Sequence, residues 1–238
     1  MSLIYLIRHA QAGTRDNYDV LSELGHEQAR QLGEHFVSQE INLTRVYSGS
    51  MRRQQHTAEL ACSAYARGSL LPPEIIVDAR WDEFSLASVY RSLARRLMDE
   101  SPEFADDFRE MQEALRRDPH TTRGATGRCD AAIIRAWMGN RFPDFEGELW
   151  GAFRERIQNC FADLIAQDGD QAVAVFTSAT PIAIMVGAAL ELSDEKLLSI
   201  LGVIYNTSVS IIRARPDDLR LFTFNSVPHL KNAIRTFR

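Results

Sequence analysis

The stretch LIYLIRHAQAG, residues 3–13, decides how the chain is organised. Leu3 to Ile7 is a short, wholly apolar run closed by two ionisable residues, and such a run reads as a strand buried on both faces at the centre of a sheet. Arg8 and His9 then stand at its C-terminal end. Downstream, Leu24, Ala29, Leu32 and Phe36 recur at helical intervals as far as Val37, with Ser22 ahead of them as N-cap. A second strand at Arg45 to Ser48 runs into SGSMRRQQHTAELACSAYA, residues 48–66, whose Ala and Leu content predicts a helix with Arg52 and Arg53 in its first turn. After the break at Leu71, Pro72 and Pro73, Ile75 to Val77 reads as a third strand, and Glu83 lies just beyond it.

From Ser85 to Gln167 the pattern is helical throughout, with segments at Ser88 to Met98, Pro102 to Arg117, Asp130 to Met138 and Glu148 to Ala166. Ser101 before Pro102 marks a helix start, and PHTTRGATGRC, residues 119–129, reads as a loop. Strand and helix alternate again from Ala172 to Phe176, with Thr177 and Ser178 in the turn before a helix opened by Thr180 and Pro181. A helix at Asp194 to Leu201 follows, then two alternating runs joined by Pro216, Asp217 and Asp218, which predict a hairpin. The fold class expected is therefore α/β, a three-layer α/β/α arrangement around a mostly parallel sheet. It forms a single domain over residues 1–238 with a helical cap inserted at about 85–147.

Composition narrows the class of protein. With 45% apolar and 25% charged residues the chain is of ordinary globular make-up, and 238 residues suffice for one domain carrying an insertion. A net charge of −5 gives no basic stripe for nucleic acid, so any anion must be held locally. Cys62, Cys129 and Cys160 are odd in number and far apart, which reads as reduced thiols rather than disulfides or a zinc site. The five-residue apolar run before Arg8 is too short for a secretory signal, and no later run is of membrane-spanning length. A cytoplasmic protein with no membrane partner is expected.

In parallel α/β sheets ligands bind beyond the carboxyl ends of the strands, and four strand ends here carry Arg8 with His9, Ser48 to Arg53, Glu83, and Thr177 with Ser178. Two guanidinium forks, Arg8 and Arg53, match a phosphoryl dianion in charge and shape. A neutral imidazole between them, His9, is a competent nitrogen nucleophile. Glu83 is the candidate acid for the leaving alcohol and then base for water. Helix starts after Ser48 and Thr180 add backbone donors. No metal or other cofactor is called for. Taken singly each residue has a plainer reading: a solvated strand end for Arg8 and His9, surface charge for Arg52, Arg53 and Glu83, and a solvated helix face for Arg91, Arg95 and Arg96. It is their convergence that points to a phosphate pocket.

The motifs together resemble the histidine phosphatase superfamily of phosphoglycerate-mutase-like proteins. LIRHAQAG is similar to its strand and RHG motif; YDVLSELGHEQARQLGEHF, residues 18–36, to its LTxxGxxQAxxLG helix; and VYSGSMRRQQHTAEL, residues 46–60, to SSPLxRAxQTAE. DARWDEFS, EGELWGAFRERI, YNTSVSII and FTFNSVPHL follow the same course. The resemblance implies Arg53, not Arg52, as second phosphate-binding arginine and Glu83 as proton donor. The family's SHGG segment is here AVFTSATPIAI, residues 174–184, which puts Ser178 at the position of a second histidine. The family's downstream asparagine falls on Arg15, or on Asn17 with a shift, and His120 offers an imidazole in the cap loop. The activity implied is hydrolysis of a small phosphorylated substrate or phosphoprotein through phosphohistidine at His9, at a reduced rate. The other reading is a catalytically impaired phosphate-ligand binder or interaction protein on the same fold. Mutase chemistry is disfavoured because no substrate-closing tail follows His229.

Overall fold

The computed structural model describes residues 2–14, 17–68, 73–119, 121–166, 171–215 and 218–237. The chain divides into two compact units, residues 1–83 with 156–238, and residues 84–155.

The first unit is built on a six-stranded sheet in the order β3-β2-β4-β1-β5-β6. Its strands are β1 (Ser2–Arg8), β2 (Arg45–Ser48), β3 (Ile75–Val77), β4 (Ala172–Thr177), β5 (Val209–Arg215) and β6 (Asp218–Ser226). β1, β4, β2 and β3 run parallel, whereas β5 and β6 form an antiparallel hairpin added to β1. The hairpin expected from the two alternating runs is present, while Pro216 and Asp217 of its turn lie outside the described residues, as do Leu71 and Pro72.

The apolar run of β1 is central because both of its faces are covered. Tyr5 and Ile7 point into a cluster with Leu32 and Phe36 of α1 (Glu23–Ser38) and with Ala58, Ala61, Cys62 and Tyr65 of α2 (Arg52–Arg67). Ile4 and Leu6 are equally buried on the other face, against which α7 (Ala179–Ala189) packs, followed by α8 (Asp194–Leu201). These are the helical layers expected on both sides of a mostly parallel sheet. Ser22 caps α1 as the pattern predicts, its hydroxyl accepting from the Gly25 amide at 3.0 Å. α1 and α2 touch at Gly33: a Cβ there would stand 2.2 Å from the Ala61 carbonyl oxygen, so only glycine permits this approach.

The second unit is helical in all its described elements: α3 (Leu86–Glu100), α4 (Pro102–Arg117), α5 (Ala125–Met138) and the start of α6 (Trp150–Ile165). Phe84 stacks on Trp137 with ring centroids 4.3 Å apart, and Trp150 meets Trp137 edge-on at 5.4 Å. One expectation is corrected. α5 begins at Ala125, inside the stretch read as a loop, because Gly124 takes φ +61° to start it and Ala125 and Thr126 are buried. Gly and Thr there serve helix entry and packing. Arg96 is engaged within this unit: it pairs with Asp144 at 2.5 Å and lies 5.3 Å over the Phe142 ring.

Candidate active site

The register of the parallel strands assembles the site. Arg8 is opposite Thr177, and Ser48 is opposite both Phe176 and Val77, so the segments that follow β1, β4, β2 and β3 leave the sheet on one edge. His9 comes next after β1 and Ser178 next after β4. Both are buried, at 2% and 1% exposure.

The main chain of His9 is held on both sides. Its N–H donates to the Thr177 carbonyl at 2.8 Å and its carbonyl accepts from the Asn206 side-chain amide at 3.0 Å. Arg8 is fixed by backbone bonds to Ser208 and Thr207, and its Nη1 donates to the Ile204 carbonyl. The imidazole lies between two polar partners. Nδ1 is 2.8 Å from the Ala10 carbonyl, which can only accept, and Arg53 Nε donates to Nε2 at 3.2 Å. The proton therefore sits on Nδ1 and the lone pair on Nε2. Burial, then the Arg53 and Arg8 charges, hold this histidine well below the ordinary imidazole range, so the ring is neutral at pH 7.

Arg53 reaches His9 because α2 starts immediately after the β2 end, which places Arg53 in the first turn, 7% exposed, while Arg52 is exposed. The N-cap residue of α2, Met51, has no capping side chain. Asp19 takes that place. Its carboxylate accepts from the Arg52 amide at 3.2 Å and the Arg53 amide at 3.5 Å, and pairs with Arg53 Nη1 at 2.9 Å. Tyr18 beside it lies edge-on to His9, ring centroids 6.1 Å apart, and the Arg53 guanidinium lies 4.9 Å over its ring.

Glu83 follows a short 3-10 turn at Ala79–Trp81, and its carboxylate accepts from the Thr180 amide in the first turn of α7 at 3.1 Å. Ser178 is the N-cap residue of α7, and its hydroxyl oxygen accepts from Gln54 Nε2 at 2.9 Å. Of the residues expected at the site, Arg8, His9, Arg53, Glu83 and Ser178 all lie at this edge of the first unit. Asn17 is exposed, and the residues of its loop that reach Arg53 are Tyr18 and Asp19. Arg15 and His120 lie outside the described residues. Tyr18, Asp19 and Gln54 were not singled out by sequence, since the chain between residues 13 and 22 carries no periodic signal and a glutamine within a helical pattern carries none of its own.

Other titratable groups have a different character. Burial pushes the Cys62 and Cys160 thiols up to about 12, which keeps them protonated and unreactive. His229 contacts the Thr207 hydroxyl at 3.0 Å, and burial, with His35 and Arg235 nearby, lowers it to about 3. Among the described residues there is no group of three or more His, Cys, Asp or Glu side chains placed to hold a metal ion, and no helix long and apolar enough to cross a membrane.

A strand-end imidazole thus stands between two arginines at the edge of a mostly parallel α/β sheet. The model of the histidine phosphatase superfamily (branch 1) matches residues 4–138 and 120–227, and the chain belongs to that family. No curated protein sequence matches the chain. Among solved structures, it is similar to YhfR of Bacillus stearothermophilus, with a TM-score of 0.64 at 20% identity over 96% of this chain and 99% of that one. A phosphoserine phosphatase mutant from Entamoeba histolytica, in complex with phosphoserine, gives a TM-score of 0.64 at 15% identity, covering 97% and 100%. Phosphoglycerate mutase from Bacillus anthracis gives 0.61 at 18% identity, covering 96% and 94%. At these identities the likeness speaks for the fold.

Proposed function

We propose that the protein is a phosphomonoester hydrolase that works through a phosphohistidine on His9. The observation that carries this reading is the neutral imidazole with its Nε2 lone pair turned to the Arg53 guanidinium, between two buried arginines. A phosphoryl dianion binds to the Arg8 and Arg53 forks and to the first-turn amides of α2, displacing the Asp19 carboxylate from them. His9 Nε2 attacks phosphorus, an N–P bond forms, and the P–O bond to the alcohol breaks. Glu83 gives its proton to the departing oxygen. The seated dianion disfavours a second negative charge beside it and so favours the neutral carboxylic acid on Glu83 at that moment. Water then attacks phosphorus, Glu83 takes its proton, the N–P bond breaks, and inorganic phosphate leaves with His9 neutral again.

In this reading Ser178 stands where the family carries a second histidine. A hydroxyl supplies one hydrogen bond but no positive charge, and removal of one such transition-state donor costs about a hundredfold to a thousandfold in rate. The expected enzyme is slow but active, with a small phosphorylated compound or a phosphoprotein as substrate. The same Ser178 favours a second reading, a phosphate-ligand binder without turnover.

Incubation with an aryl phosphate decides between them. Hydrolysis with an acid-labile, base-stable phosphoenzyme, both lost in His9→Ala, is expected. Phosphate or vanadate binding without any release of product supports the binder, and turnover unchanged in His9→Ala ends the proposal.

A further inference from the structure

Gln54 occupies the third position of α2 and is wholly buried beside the candidate nucleophile's clamp, yet the mechanism above does not use it. The two ends of its amide are told apart by their surroundings. One lies 3.4 Å from the Trp81 carbonyl, which can only accept, so that end is the NH2, and the same nitrogen donates to Ser178 Oγ at 2.9 Å. The Trp81 carbonyl also accepts from the Thr177 hydroxyl at 2.5 Å, so α2, the turn before Glu83 and the β4 end meet at this point. The other end, Oε1, is buried and has no partner among the described residues. It stands 2.0 Å from where a Cβ on Gly49 would be, so the amide keeps this position only because residue 49 is glycine. A buried carbonyl without a donor is destabilising, and such exceptions concentrate where a function maintains them.

The count of hydrogen-bonding groups at Ser178 is the second observation. Its oxygen accepts from Gln54, and its single hydrogen has no acceptor among the described residues. A glutamine NH2 cannot accept, so the hydroxyl hydrogen cannot turn back to Gln54 and is left for a ligand. The β1–β4 register sets Ser178 and His9 at adjacent strand ends. We propose that Gln54 is a positioning residue, which holds the Ser178 hydroxyl as an obligatory donor to a phosphoryl oxygen seated on His9, Arg8 and Arg53. The proposal rests on the phosphate-pocket reading and deepens it. Ser178 acts as a donor because Gln54 occupies its acceptor side.

The test is a double-mutant cycle in the full chain, read as inhibition of aryl phosphate turnover by vanadate and as calorimetric binding of vanadate. Ser178→Ala and Gln54→Ala each weaken vanadate binding by about tenfold, the usual scale for a hydrogen bond to a charged group. The double variant is no weaker than Ser178→Ala alone. Losses that multiply, or a Gln54→Ala protein with unchanged affinity, overturn the proposal. Gln54→Met, which fills similar volume without a donor, gives the same reading if Gln54→Ala unfolds. Vanadate that fails to bind the unaltered protein overturns the phosphate pocket itself, which separates that failure from one confined to Gln54.

Discussion

Asp19→Asn tests the anion cradle most directly. The carboxylate lies 2.9 Å from Arg53 Nη1 and accepts from both first-turn amides of α2, the donors a phosphoryl group would use. Two unit charges about 4 Å apart interact by roughly 4 kcal/mol at an effective dielectric of 20 and by roughly 1 kcal/mol in water. The Asp19 side chain is 55% exposed, which sets it toward the aqueous limit, where measured ion pairs contribute about 0.2–1 kcal/mol. A phosphoryl dianion feels roughly twice the repulsion of a single charge, so replacing Asp19 by its neutral isostere strengthens anion binding by about 1 kcal/mol, or about fivefold. Asparagine still caps α2, so the fold is spared. Calorimetric titration with phosphate and vanadate measures the change, and the gain shrinks as salt is raised. A weaker affinity in Asp19→Asn would refute the reasoning, because it would mean that the carboxylate orients Arg53 rather than competes for it.

Three further outcomes are expected. Glu83→Gln lowers turnover of alkyl phosphates by about a hundredfold or more while sparing aryl phosphates, whose leaving group needs little protonation, and a pair of substrates in steady-state kinetics reads the difference. Gly33→Ala drives a methyl group against the α2 backbone at 2.2 Å, and overpacking of about 1–3 kcal/mol outweighs the helix propensity gained, which thermal melting registers as a loss of several degrees. The third concerns acid. His9 is held below the ordinary range and His229 at about 3, so as pH falls through about 6.5 the unfolded chain takes up protons that the native state refuses. Stability is full above that pH and declines by up to about 1.4 kcal/mol per pH unit for each histidine as pH drops toward 5. Urea melts across this window check the slope, and His229→Gln flattens it.

The strands, and the placement of the main candidate residues at their ends, were legible because their signal is local. Five apolar residues ended by Arg8 and His9 describe a buried strand and its exit wherever they occur, and Ala172 to Thr177 does the same with Thr177 and Ser178. The start of α5 was not legible, since Thr126 and Gly127 are poor helix formers by propensity, and the helix takes them in only because Gly124 caps it at positive φ and the first turn packs in the helical unit with α3 and α4. Asp19 and Gln54 escaped notice for a related reason. An exposed Asp in a loop and a Gln on a helix are unremarkable until tertiary structure brings one to the α2 amides and the other to Ser178.

The hydrogen bond from Asn206 to the His9 carbonyl spans 197 positions, and Asn206 is itself tied to Thr236 through both backbone and side chain. Gln28 joins the same network, donating to Thr236 across 208 positions. The His9 carbonyl thus has no Asn206 partner until residues 206 to 236 have been made, although Thr177 and Arg53 are available to His9 earlier. A nascent protein stalled before residue 206 would carry the candidate site without this tether, however well its first strands had paired.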